Sequence, residues 1–442
     1  MTNRQMNLGA FFMFPGHHVA AWRDPSTTKE QLLNIEFIKE QAKKAEAAKF
    51  DAIFLADGVT SPDPQHTSFE SSFAPFLEPF TLLSALASVT ENIGLVGTVS
   101  TTFTEPFNVA RQFASLDIIS NGRAGWNVVT SNEAAGQNFD VPHEQLTPEA
   151  RYARAEEYVD VTKKLWTSIE EDALVYNRET NQLINEKKVH VVDHAGKHFN
   201  VKGPLTIPQS KQGHPVIVQA GSSEPGRELA ARTAEAIFTA WQSFEDAQAF
   251  YQDVKSRLAK YGRRTDELKI LPGIFPIVGR TFEEAQAKHQ QLLDYIPVEA
   301  GVARLSTLIG FDLSSYDVDG HLPQIVFDGA ATGHRSRVDI ITKLARDENL
   351  TIRQLYQRIS GGRGHYEIVG TPEYIADVLQ HWFENEAADG FNILAPTYPQ
   401  GFDDFIELVL PELQRRGLFR TAYSGSTLRE HLGLQKPIPA FV

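Results

Sequence analysis

Two hydrophobic periods alternate along the chain. Short runs of almost unbroken apolar residues, bounded by Gly, Asp, Asn, Ser or Thr, occupy Asn7–Phe14, Asp51–Gly58, Ile93–Ser100 and Ala124–Val129. They return at Pro215–Gln219, Ala236–Thr239, Ile270–Val278 and Gly390–Leu394. Runs of this length and composition read as strands buried on both faces, which is how parallel sheets are built. Most are followed by segments with apolar residues every three to four positions, as expected of helices lying on a sheet. The order strand, helix, strand, helix, at roughly 40 residues per unit in the first half, predicts an α/β chain folded as a (β/α)8 TIM barrel.

Local signals set the helix ends. Thr27-Thr28-Lys29-Glu30 reads as a capping box opening a long helix to about Lys49, with Ile35, Ile38, Ala42, Ala45 and Ala48 on one face. Pro79 and Pro106 open two more helices; the second carries apolar groups at 113, 116 and 119 or 120 and is stopped by Asn121-Gly122. A fourth runs from Pro148 to about Trp166, another passes through Tyr251 and Leu258, Thr371-Pro372-Glu373 caps a late one, and the last spans Phe402 to Arg416. The loop from Val59 to Pro79 carries several prolines and should be irregular.

The rhythm breaks twice. Over about 168–214, alternation at Lys188–Asp193 and a turn at Ala195-Gly196-Lys197 suggest an inserted hairpin. Over about 296–364 a second excursion carries His321, His334 and the Gly-rich Ser360-Gly361-Gly362-Arg363-Gly364-His365, and an insertion of that size beside a barrel rim predicts a lid. The whole of 1–442 is read as one barrel domain with these two insertions.

Composition narrows the function. The 42 Lys and Arg against 56 Asp and Glu give a formal charge of −14, and no basic run exceeds two residues, which argues against nucleic acid or an anionic membrane as partner. Cysteine is absent, excluding disulfides, thiolate catalysis and Cys-ligated metals. No stretch approaches the ~20 apolar residues of a membrane span, and the early run Leu8–Phe14 lacks a cleavage pattern, so a cytoplasmic protein is expected. Walker loops, G-x-G-x-x-G, H-E-x-x-H and G-x-S-x-G are all missing, and no three His or carboxylates stand at metal spacing, so no metal is expected.

What remains is a rim of small polar groups at strand ends. The stretch Ser120–Ser131 joins a helix stop to a buried strand and a polar exit, with Trp126 in the core and Asn127, Thr130 and Ser131 available to a ligand. After the fifth strand, Ala220-Gly221-Ser222-Ser223-Glu224-Pro225-Gly226 leads into a helix, whose free amides and partial positive charge make an anion cradle.

The segments Ser120–Ser131, Arg151–Tyr158, Gln219–Ser223 and Gly16-His17 with Trp22-Arg23, in this order, resemble the nitrilotriacetate, EDTA and alkanesulfone monooxygenase group of the bacterial luciferase-like flavin monooxygenases, over nearly the whole chain. The resemblance implies a barrel binding reduced FMN, supplied by a separate NAD(P)H-dependent flavin reductase, at the C-terminal rim. There O2 would give a flavin C4a-hydroperoxide that oxidises or cleaves a small organic substrate. It also implies a homodimer or homotetramer.

Residue by residue, the resemblance places Asp57, Thr98, Asn127 and Thr130 against the flavin. It places Tyr152, Gly221, Ser222 and Ser223 at its phosphate, and His17 and Ser131 at the substrate. Alkane-oxidising relatives carry a histidine where this chain has Ser131, which removes a His-assisted step there. His321, His334 and His365 are read as structural, and Arg23, Arg335, Arg337 and Arg363 as candidates for a basic lining that would suit a carboxylated substrate.

Overall fold

The computed structural model describes residues 4–60, 75–131, 133–142, 145–323, 335–438 and 441. His334 and most of the proline-rich loop lie outside the described residues, as do the side chains of Arg335 and Arg337.

Nine parallel strands form the main sheet: β1 Asn7–Phe11, β2 Ala52–Leu55, β3 Gly94–Ser100, β4 Ala124–Val129, β5 Val216–Gln219, β6 Ala236–Thr239, β7 Lys269–Val278, β8 Tyr366–Gly370 and β9 Gly390–Ile393. Eight of them close into a barrel in the order β1 to β7, then β9, which pairs back onto β1 with Leu8 opposite Phe391. The predicted barrel is therefore present. The ninth strand, β8, was not legible from the periodicity; it pairs with the second half of β7, from Ile274 opposite Tyr366 to Val278 opposite Gly370.

Helices cover the outside: α1 Ile35–Ala47, α2 Pro79–Ala87, α3 Pro106–Ile119, α4 Pro148–Trp166, α5 Glu224–Thr233, α6 Phe244–Arg257, α7 Phe282–Asp294, α8 Val298–Ile309, α9 Arg335–Asp347, α10 Ile352–Ser360 and α11 Pro372–Glu384. A further helical stretch, Gln400–Asp404, continues through a π-helical turn Phe405–Val409 into Leu410–Arg415. In the segment between β4 and β5 two short hairpins occur, Leu174–Asn177 with Gln182–Ile184 and His194–Ala195 with Asn200–Val201. The second turns at Gly196 as expected, whereas Lys188–Asp193 forms no strand. Between β7 and β8, α8 to α10 share their own apolar cluster around Leu305, Ile309, Leu355 and Tyr356.

Two local readings are corrected. The expected box Thr27–Glu30 is shifted by one residue to Thr28–Gln31, and it opens only a 3₁₀ turn, Lys29–Gln31. The helix proper starts at its own cap, Asn34, whose side chain accepts from the Glu36 and Phe37 amides. In α3, Ile119 is 60% exposed and Asp117 is buried in its place. Asp117 accepts from the Ala124 amide and from Ser210 and Gln212, so a distant polar cluster overrides the apolar stripe.

The N-terminal end of the barrel is plugged by the chain's last helix, α12 Leu428–His431, with Leu428, Leu432 and Leu434 packed beneath Val96, Val216 and Ala236. Gly94 and Gly125 make room for it: a Cβ at either would come within 2.4 Å and 3.2 Å of the Leu428 side chain. Buried Arg429 pins the plug by pairing with Glu235 and donating to the carbonyls of Gln212 and His214. Closure at this end leaves the opposite rim as the open mouth.

Candidate active site

The strands deliver their C-terminal residues to one rim, and alternation decides which side chains face inward. On β3 and β4, Thr98 lies opposite Asn127, and both are buried. The Thr98 hydroxyl donates to the Leu55 carbonyl (2.8 Å) and accepts from the Asn127 amide (2.8 Å). Asn127 Oδ1 is left without a partner although buried, a group whose desolvation costs about 1–3 kcal/mol unless something donates to it. Past β4, Ser131 takes a left-handed backbone (φ 52°) and donates to Ser100 (2.8 Å). The Thr130 carbonyl receives the Thr102 hydroxyl (2.6 Å) and Arg151 (3.4 Å).

The fifth loop and the start of α4 meet beside this exit. Ser223 caps α5, accepting from the Gly226 amide (3.3 Å), and its hydroxyl lies 3.0 Å from the Tyr152 hydroxyl. Gly221 faces Gly226 so closely that an added Cβ would stand 3.0 Å from Gly226 Cα and 3.4 Å from the Tyr152 oxygen. The Ser222 carbonyl is held by Arg227 (2.9 Å), and Arg151 Nε is buried with no partner. Tyr152, Gly221, Ser222 and Ser223, expected together, are thus brought together. A helix terminus and two hydroxyls make a cradle suited to phosphate.

On the β1 side, His17 is buried, edge-on to Phe11 at 4.5 Å, with both ring nitrogens unpartnered. Burial pulls its pKa well below the usual value, and Arg363 and His365 pull the same way, so the ring is neutral. His18 is lowered to about 3 by burial and by His289 and Arg363. His365 stacks on Phe238 at 5.2 Å and is lowered to about 4, chiefly by burial and then by Arg363. Asp57, just past β2, is half-buried, and burial together with Glu78 raises its pKa.

A cavity of about 800 Å³ opens here, lined by Phe14, Gly16, His18, Asp57, Gly58 and Arg363 among others. It adjoins the β1 and β2 exits and does not include Tyr152 or Ser223, so the rim carries two neighbouring subsites. In the segment between β7 and β8, His321 lies against the Leu350 carbonyl and bridges to the Thr351 backbone. Arg23 donates to the Tyr295 carbonyl (2.6 Å). Two groups that sequence reasoning did not place at the rim are His18 and Thr102. The doubled His17-His18 after a strand was the available signal for the first, while nothing in the sequence singled out the second. Among the described residues no group of three or more His, Asp or Glu side chains gathers as a metal site, and no helix is long and apolar enough to cross a membrane.

Comparison with known proteins agrees with this architecture. The sequence profile of the luciferase-like monooxygenases matches residues 10–389. The chain is 51% identical to nitrilotriacetate monooxygenase component A of Aminobacter aminovorans, over 99% of this chain and 98% of that one. It is 48% identical to N-acetyl-S-(2-succino)cysteine monooxygenase of Bacillus subtilis (strain 168), over 98% of each. The crystal structure of a long-chain alkane monooxygenase superposes with a TM-score of 0.84 at 36% identity, covering 98% of this chain and 96% of that one. A closed barrel with its polar rim, matched along almost its whole length by monooxygenases, places the chain in the luciferase-like monooxygenase family.

Proposed function

We propose that the protein is the oxygenase of a two-component system, taking reduced FMN from a separate NAD(P)H-dependent flavin reductase and using O2 to oxidise or cleave a small organic substrate. Candidate substrates are aminopolycarboxylates, organosulfur compounds or similar molecules. The observation that carries the reading is the cradle, where Tyr152 and Ser223 meet at 3.0 Å beside a Gly221 with no room for a side chain. A 5′-phosphate there would meet two hydroxyls and the N-terminus of α5. Bound reduced flavin would supply the oxygen chemistry.

The chain's own groups do the rest. Tyr152, Gly221, Ser222 and Ser223 hold the phosphate end. Thr98 and Asn127 offer fixed dipoles inside the barrel mouth, and the unpartnered Asn127 Oδ1 is free to accept from the ring system. Asp57 and Thr130 border the same mouth. The resemblance assigns His17 and Ser131 to the substrate side; His17 is buried edge-on to Phe11 and Ser131 is bonded to Ser100, and the Phe11, Phe54 and Phe238 cluster would exclude water from below.

Equilibrium titration with reduced FMN under argon tests the reading. Saturable binding is expected, with Ser223→Glu abolishing it while the thermal unfolding midpoint is retained. Absence of reduced-FMN binding in the unsubstituted protein would sink the proposal.

A further inference from the structure

Arg363 reaches the rim from the segment between β7 and β8. Its backbone is left-handed (φ 52°) and is followed by Gly364 at φ 91°, a conformation that a long side chain adopts only when its surroundings impose it. The Nε–H donates to the His17 carbonyl at 2.7 Å, tying residues 346 apart in sequence. No carboxylate among the described residues pairs with the guanidinium.

The side chain is accessible from the cavity, yet enough protein crowds around it that burial, with Arg304 adding like charge, draws its pKa down to about 10. The Arg363 side chain is part of the cavity wall. Among the described residues, the other charged groups on the cavity are Asp57 and Lys29. Asp57 lines the same cavity but makes no ion pair with Arg363. The remaining wall is largely apolar, with Phe12, Phe14, Leu55 and Trp22. Holding a cation in such a place without a counter-ion costs solvation energy that an incoming anion would restore.

We propose that Arg363 sets substrate specificity by receiving a carboxylate of the substrate, so that the protein acts on small organic acids whose apolar portion lies along the aromatic wall. With Nε committed to His17, the two terminal nitrogens remain to grip both carboxylate oxygens in the end-on geometry that a lysine cannot reproduce. This rests on the cavity being the substrate site of the proposed oxygenase.

The test is calorimetric titration of the FMN-loaded protein with succinate, nitrilotriacetate and N-acetyl-S-(2-succino)cysteine, each beside its full methyl ester. At least one acid is expected to bind more tightly than its ester. Arg363→Met should weaken that acid at least tenfold, with partial recovery in Arg363→Lys and unchanged affinity for FMN and for the ester. The inference is overturned if no acid binds better than its ester, or if the folded Arg363→Met and Arg363→Lys proteins both lose less than tenfold. Failure of FMN to bind, with Arg363-dependent acid binding intact in the flavin-free protein, would remove the oxygenase reading and leave this one standing.

Discussion

The Tyr152 hydroxyl stands 3.0 Å from the Ser223 hydroxyl, so the first turn of α4 closes one side of the turn that opens α5. If the proposed cradle holds the FMN phosphate, removing either hydroxyl takes one hydrogen bond from it, and bonds to charged groups are worth about 1.5–3 kcal/mol. Tyr152→Phe and Ser223→Ala are each expected to weaken FMN about tenfold or more. Riboflavin, which lacks the phosphate, should bind the variants and the parent equally in parallel fluorescence titrations. Equal losses for both ligands would move the phosphate elsewhere.

Gly221→Ala is a steric counterpart. Its Cβ would sit 3.0 Å from Gly226 Cα, tight enough to push the two backbone segments apart. Overpacking of this kind costs about 1–3 kcal/mol of stability. We expect a modest drop in the urea midpoint together with a loss of FMN affinity exceeding that of Ser223→Ala.

Thr98 satisfies two partners at once, the Leu55 carbonyl and the Asn127 amide. Thr98→Val leaves both unpaired and should destabilise the fold by about 1–3 kcal/mol in urea unfolding, whereas Thr98→Ser should retain most of the stability.

Burial keeps several histidines from taking up a proton. His17 and His18 are held low, the latter at about 3, and His214, His365 and His431 are each drawn to about 4, with burial the leading cause throughout. In the unfolded chain they titrate near the ordinary value of about 6.5. The unfolded state therefore binds more protons as the pH falls below that value, and stability must decline from about pH 6.5 towards pH 4. Unfolding at pH 5.5 should be accompanied by proton uptake, measurable as a positive slope of unfolding free energy against pH. A flat profile from pH 7 to pH 5 would contradict it.

Glu235 adds a second, more acidic phase. Burial alone would raise its pKa, but Arg429 and His214 outweigh burial and hold it at about 2. Its stabilisation is present above the unfolded value of about 4.3 and is lost as the pH falls towards 2. Glu235→Gln should flatten that part of the profile. Arg429→Met, which strands the buried carboxylate, should cost about 3–5 kcal/mol at pH 7.

Much of this was legible because the barrel repeats one local pattern. Eight apolar runs with polar exits sufficed for the ring, and Gly221-Ser222-Ser223 marked the turn into a helix that Ser223 caps and Tyr152 meets. What escaped depended on partners far away in sequence. The Thr28 box was real, but Asn34 offered a better start for α1. Asp117 was buried for the sake of Ala124, Ser210 and Gln212, which no helical wheel reveals. Strand β8 exists because β7, already paired with β6 and β9, is long enough to bind a third neighbour along its upper half. Arg363 could be suspected from its Gly-rich setting, but only the fold joins it to His17.

The plug at the barrel floor bears on how the chain is made. Leu428, Leu432 and Leu434 fill the space under Val96 and Val216, and β9 closes the ring against β1. Both follow the first eight strands in sequence and leave the ribosome after them. A nascent chain that has already emitted its first six strands still presents an open, wet-floored sheet, with the edge of β1 unpaired. Closure is thus a late event, and the interval before it is when edge pairing with another chain competes with folding.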